Sequence, residues 1–480
     1  MGWGMSLFKN TAIIFSTMLL LIGCGGGSGG SSNGVTPSYT IGGTVSGLSS
    51  SKTVVLQNNA GDNLTVSANG SFTFATSVAS GAAYAVTVLT QPSGMTCTVS
   101  NGTGTASSNV SNVGVSCQPV VAFVFASISG GNGQVYSAPI DSNGALGQAG
   151  LATSTGTTTL YTSVASPNGK FLYLSSIADG GLDHLRGFAI DSNNAALTAI
   201  NAIPNSADPV YGLAIHPSGN YLYASGSTSN YSNDFVQAYQ VNNQTGGLTP
   251  IGQQLPGAGQ YNRAVAITPS GNLVFTIAEV NGLLTAYITS YGVGNDGALT
   301  RIGQPLAVTD GVTHICPHDV VVDSTGSYAY FVSYQSAYNN WGCINAIYGF
   351  RINADGSLSA IGSTQFASGG TDSSKLTASP TAGFIYLPDY ISGNIFAFRI
   401  NAATGALTPV GSQPTNVLGG PVDVAIDATG RHAYVSTNDS NSIITFSIDQ
   451  TTGALTNPRT TSLPPPAGVG LYAITVAPKQ

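Results

Sequence analysis

From Val120 to the C-terminus, short apolar runs rich in β-branched and aromatic residues alternate with turns of Gly, Asn, Asp and Pro at a nearly constant interval. Runs of that length bounded by such turns predict strands rather than helices. The clearest marker is an apolar run, a turn anchored on Pro or an equivalent residue, and an aromatic six residues beyond the anchor. Six copies carry both elements: Pro167/Tyr173, Pro217/Tyr223, Pro269/Phe275, Ser324/Tyr330, Pro380/Tyr386 and Ala428/Tyr434. A seventh anchor, Pro478, lies two residues from the C-terminus, and the spacings run from 48 to 56 residues.

A second marker repeats independently. A turn followed by Leu, reading NGALG, NAALT, TGGLT, DGALT, DGSLS, TGALT and TGALT, recurs at Leu146, Leu197, Leu248, Leu299, Leu358, Leu407 and Leu455. It follows strands such as VQAYQV, IYGFRI, IFAFRI and IITFSI. Seven units, each long enough for four short strands, predict an all-β fold with a seven-bladed β-propeller over 119–480. The first unit begins at Phe123-Val124-Phe125, which matches the second strand of the others. Its missing first strand is predicted at 471–476, so the C-terminus closes the ring and no edge is left open.

Residues 38–118 alternate apolar and polar positions in short runs, at Tyr39-Thr40-Ile41, 53–56, 71–74 and 84–89, separated by Gly, Asn and Ser. This predicts a small β-sandwich, and GTVSGL, NGSFTF and the paired cysteines give it a general resemblance to the Ig-like or prealbumin-like modules of bacterial lipoproteins, with a spacer role implied. Ahead of it, Lys9 precedes the apolar stretch 11–22, which is too short to cross a membrane as an ordinary helix and has the layout of a secretory signal. Leu21-Ile22-Gly23-Cys24 resembles a lipobox, which implies a signal peptide at 1–23, a lipid on Cys24, and a flexible Gly/Ser tether at 24–37. A plain signal peptide cut nearby is the alternative. Position 25 is Gly rather than Asp, which favours the outer membrane among the sites open to an exported, lipid-anchored chain.

Composition narrows the partners. Only 6% of residues are charged, 42% are hydrophobic, and Gly (62) and Tyr (22) are abundant, so the chain has apolar surface for packed cores and little material for solvated helices. Twelve Lys and Arg scattered over the length make no basic stripe, which excludes nucleic acid on electrostatic grounds. The Asp/Asn/Gly turns lack the distal Glu of a calcium loop and recur in every unit, as turn chemistry does. No cofactor is expected.

The stretch PSGNYLY, a variable loop and AYQVNNQTGGLTPIG resemble the lactonase-type seven-bladed propellers, the family of bacterial 6-phosphogluconolactonase, and the related YVTN repeats. The resemblance covers roughly 120–480 and specifies scaffold more than chemistry. In those lactonases a Pro-Arg-His segment, an apolar strand, Pro-x-Gly and a Glu sixteen residues after the Arg line the channel mouth. Blade four here reads NRAVAITPSGNLVFTIAE, so the resemblance implies catalytic roles for Arg263 and Glu279, with Asn262 and Ala264 in place of the family's Pro and His. Glu279 is the sole glutamate of the chain. A carboxylate to direct water and a cation for the oxyanion suit lactone hydrolysis. An ion pair tying two strands is the plainer reading.

Ring symmetry leads to the same place. The residues six before each anchor are Tyr161, Tyr211, Arg263, His318, Ser374, Val422 and Tyr472, and the next positions add Asp319, Lys375 and Asp423. Tyr161, Tyr211, His318, Asp319, Asp423 and Tyr472 form a candidate ligand-binding ring at the channel mouth; the alternative is that the tyrosines simply fill the channel. In blade five, His314, Cys316 and His318 share a strand face, with Cys343 further on, a set that could hold zinc or copper. An exported chain favours a Cys316–Cys343 disulfide instead, beside Cys97–Cys117, and no metal. The expected function is a cell-envelope lipoprotein whose propeller binds a small molecule, glycan or protein at the channel mouth. The alternative is a 6-phosphogluconolactonase-like lactone hydrolase at the same mouth.

Overall fold

The computed structural model describes residues 36–480 apart from 129–132, 151, 156–159, 177–183, 205–207, 229–232, 281–283, 310–313, 334–342, 344, 366–374, 382, 412–416, 418 and 464–469. The expected leader, Cys24 and most of the tether lie outside the described residues, as does Ser374. The described chain is all-β, and no helix in it is long and apolar enough to cross a membrane.

Seven antiparallel four-stranded blades form the ring. The inner strands are Leu471–Pro478, Leu160–Ala165, Val210–Ile215, Tyr261–Ile267, Pro317–Val322, Thr377–Ala378 and Pro421–Ile426. Blade 1 is built from both ends of the ring: Leu471–Pro478 pairs antiparallel with Val110–Ile128, from Ala122↔Pro478 to Ile128↔Leu471. The C-terminal strand therefore supplies the first strand of the first unit.

The blades explain the sequence pattern. Each presents both faces to neighbours, so second strands such as Phe171–Ser176 and Tyr328–Ser333 are buried at every position. Near-continuous apolar runs replace strict alternation for that reason. The apolar core is divided into layers, one between each successive pair of blades. Leu172, Leu174 and Phe188 pack with Phe123 and Phe125 between blades 1 and 2, and Tyr434 and Ile443 pack with Val124 and Ile474 between blades 7 and 1.

In five of the repeats the marking aromatic is a tyrosine that acts as a latch. The buried hydroxyls of Tyr173, Tyr223, Tyr330, Tyr386 and Tyr434 donate to the carbonyls of Gly246, Gly297, Gly405, Gly453 and Gly144, each in the outer turn of the next blade. The Tyr434 latch crosses from blade 7 to blade 1. The turn must be glycine twice over: at Gly453 φ is +79°, and a Cβ would stand 2.4 Å from the Phe384 ring of the preceding blade.

In the N-terminal region two four-stranded sheets enclose one core that includes Ile41, Val54, Phe72, Val86, Val113 and Val115. Cys97 and Cys117 face each other across adjacent antiparallel strands and are bonded. The strand that carries Cys117, Val110–Ile128, continues without interruption into blade 1, so one strand belongs to both cores. The module meets the ring at the Ala122/Pro478 end, where Lys479 Nζ donates to the Gly94 carbonyl. Tyr472 is at the other end of the same inner strand, about 20 Å away at a strand rise of about 3.3 Å per residue.

Two outcomes follow from these contacts. Deleting residues 468–480 removes the closing strand and should abolish the cooperative unfolding transition, and an unchanged sharp melt would contradict closure by this strand. Tyr386→Phe should lower stability by about 1 kcal/mol in denaturant unfolding, because Gly453 loses its buried donor.

Candidate channel-mouth site

The residues singled out by ring symmetry share a backbone feature that their side-chain types do not reveal. In each described case the inner strand skips one residue in its pairing with the second strand, and the skipped residue is the ring residue. The register passes from Leu160 to Thr162, Val210 to Gly212, Asn262 to Ala264, Pro317 to Asp319 and Pro421 to Asp423, and from Leu471 to Ala473 in blade 1. Tyr161, Tyr211, Arg263, His318, Val422 and Tyr472 thus each occupy a β-bulge. A bulge re-aims its extra residue and ends regular pairing, which is how a strand with both faces packed can still send a side chain into the channel.

Tyr161 is the hub. Its ring packs edge-on to Tyr211 at 5.5 Å, lies 5.9 Å from the His318 ring and 6.1 Å from Tyr472, and carries the Lys375 ammonium 5.0 Å from its centroid. Tyr161 Oη stands 3.1 Å from His318 Nε2, the donor being set by the imidazole tautomer. Side chains from five blades therefore meet at one residue. Tyr161, Tyr211 and His318 are buried, whereas Arg263, Val422 and Tyr472 keep part of their surface open.

On the blade-four side, Arg263 Nη2 donates to Glu279 Oε1 at 2.5 Å across paired strands. The guanidinium also lies over the rings of Tyr261 and Tyr211, at 5.1 and 5.5 Å. Burial works against the guanidinium charge, but the Glu279 carboxylate outweighs it and holds Arg263 firmly protonated. Arg263 Nε–H is buried with no acceptor. The replaced motif positions have structural work: the Asn262 side chain donates to the Phe235 carbonyl, and Ala264 packs into the core between blades 4 and 5. An imidazole does reach this level of the channel, but from blade 5, as His318.

On the other side, Asp319 and Asp423 each bolt one blade to the next. Asp319 accepts from Val320 N and from Leu376 N of blade 6, and Asp423 accepts from Val424 N and from Ile474 N of blade 1. Both are half-buried. Desolvation raises both carboxyls above their ordinary range, against the pull of Lys375 and the backbone donors. Asp423, with Asp319 as an added like charge, is pushed up to about 7.

His314 and Cys343 form an isolated parallel bridge, and Cys316 is bonded to Cys343, which removes both thiols from any metal site. Among the described residues no group of three or more His, Cys, Asp or Glu is placed to hold an ion. Two features escaped sequence reasoning. Tyr261 was missed as the second ring beneath Arg263, although an aromatic two residues before the Arg was its signal. The contact of Lys375 with Tyr161 links positions more than two hundred residues apart and left no signal.

The Asp423 carboxyl gives a signed pH dependence. A folded-state pKa above the unfolded value means the folded protein holds an extra proton between about pH 4 and 7, so this group's contribution to stability falls as pH rises through that window and stays low above it. Asp423→Asn cannot ionise. The melting temperature of that variant minus that of the parent should therefore increase from about pH 5 to about pH 8, and a flat difference would show that Asp423 does not titrate there.

Residues 155–261 and 345–470 match the family model described as Lactonase, 7-bladed beta-propeller. No curated protein matches the sequence. Among solved structures, a Bacteroides uniformis protein proposed to be a 6-phosphogluconolactonase aligns with 18% identity and TM-score 0.56, over 73% of this chain and 99% of that one. The periplasmic gluconolactonase PpgL of Pseudomonas aeruginosa aligns with 17% identity and TM-score 0.55, over 74% and 99%. At such identities the likeness is one of fold. The blade count, the closing strand and the family match together make this chain a lactonase-type seven-bladed β-propeller.

Proposed function

We propose that the chain is an envelope lipoprotein, anchored through Cys24, whose propeller takes a sugar-like lactone at the bulge ring and hydrolyses it with Arg263, Glu279 and His318. The observation that carries this reading is the Arg263–Glu279 pair. It is a charged couple whose guanidinium keeps part of its surface open beside the carboxylate. A lactone carbonyl oxygen set against that open part would become the oxyanion as water adds to the carbonyl carbon. Glu279 Oε1 is held by Arg263, which leaves Oε2 to take the proton of the attacking water. The tetrahedral adduct then expels the ring oxygen, which receives that proton, and the product is the open hydroxy acid. His318 stands at the same level to relay the proton, its ring placed by Tyr161. Tyr472 and Tyr211 offer faces on which the apolar side of a sugar ring can stack.

The fold likeness to a gluconolactonase supports the same direction. The module's attachment at the opposite end of the inner strands supports display, since an anchor on that side would turn the mouth away from the membrane. A binding-only role is the second reading, favoured by the hydrogen bond that Arg263 and Glu279 already make to each other.

Purified protein assayed against a panel of γ- and δ-lactones separates the two. Hydrolysis that falls by at least about a hundred-fold in Glu279→Gln is the expected result. Turnover indifferent to that substitution, or none across the panel, would remove the hydrolase reading and leave binding.

A further inference from the structure

Lys375 is the buried lysine of the described propeller, 7% exposed. Its ammonium is held over the Tyr161 ring, and it interacts with the Asp319 and Asp423 carboxyls. A cation–π contact replaces only part of the hydration that a buried ammonium gives up. Both aspartates are rigidly placed, each oxygen accepting one backbone N–H. Each carboxylate oxygen has a second lone pair, so every one of these oxygens can still accept a hydrogen bond.

We infer that Asp319, Lys375 and Asp423 form a subsite that reads the hydroxyl groups of an uncharged polyhydroxylated ring and turns away its phosphorylated or carboxylated counterpart. Hydroxyls suit this set because each can donate to a carboxylate and accept from the ammonium at once. An anionic group does not suit it. One ammonium faces two carboxyls, so the subsite sums to no net positive charge, and the other nearby cation, Arg263, is already neutralised by Glu279. A phosphate here would meet like charge from aspartates that the backbone holds in place. The inference deepens the lactone reading by naming the substrate as neutral, but it rests on binding and not on turnover.

Calorimetric titration of the purified chain with a sugar lactam, whose amide resists hydrolysis, and with the same lactam phosphorylated on its terminal hydroxyl tests it. The parent protein should bind the lactam at least about ten-fold more tightly than its phosphate, and Lys375→Met should weaken lactam binding by about ten-fold or more. Asp423→Asn should narrow the gap by improving phosphate binding, a gain that misfolding cannot produce. If Lys375→Met does not fold, that gain decides alone. Equal or tighter binding of the phosphate, no lactam binding, or lactam affinity untouched in Lys375→Met would overturn the inference. Lactone turnover without this preference would leave the hydrolase reading standing, and the preference without turnover would remove only that reading.

Discussion

The pairing of Leu471–Pro478 with Val110–Ile128 is the contact on which the rest of the ring depends, because it converts a row of blades into a closed one. Without it, blade 1 would lack its inner strand, Val110–Ile128 would be an exposed edge, and the apolar layers on both sides of blade 1 would open to water. The same strand runs back into the N-terminal module, whose core shares it through Val113 and Val115. Closure therefore joins the two ends of the ring, fixes it and sets the module on one face of it. The tyrosine latches repeat this logic on a smaller scale, each spanning one blade boundary by a buried hydrogen bond.

A closed ring of doubly packed blades leaves few positions free to carry chemistry, and the β-bulges supply them. At the same step of six described inner strands the ladder skips a residue, and the skipped Tyr211, His318 and Tyr472 converge on the skipped Tyr161. The repeat can vary at these positions without disturbing the ladder on either side. Blades 4 and 5 use that freedom to place Arg263 and His318, whereas blades 1 to 3 place tyrosines, and the next positions in blades 5 and 6 add Asp319 and Lys375. The channel is thereby asymmetric in charge although symmetric in backbone: a tight Arg263–Glu279 pair on one side and a looser Lys375 with two aspartates on the other. Desolvation acts on both, but the first is resolved by a direct hydrogen bond and the second by bringing a carboxyl toward its neutral form.

Much of this was readable in the chain itself, and for a physical reason. Repetition amplifies weak local signals, so the anchors and the turn-plus-Leu element each counted seven units, and the phase of Phe123-Val124-Phe125 required the closing strand. The pairs Cys97–Cys117 and Cys316–Cys343 were the ones expected of an exported chain, and they are bonded. Ring symmetry also identified the side chains that share one level of the channel. What tertiary structure alone decided was where those side chains point and what they meet. Pairing registers set the bulges, and no local sequence preference distinguishes a bulged Tyr, Arg, His or Val. The meeting of Tyr161 with Lys375 and His318 arises from closing the ring, which brings together residues that the chain keeps far apart.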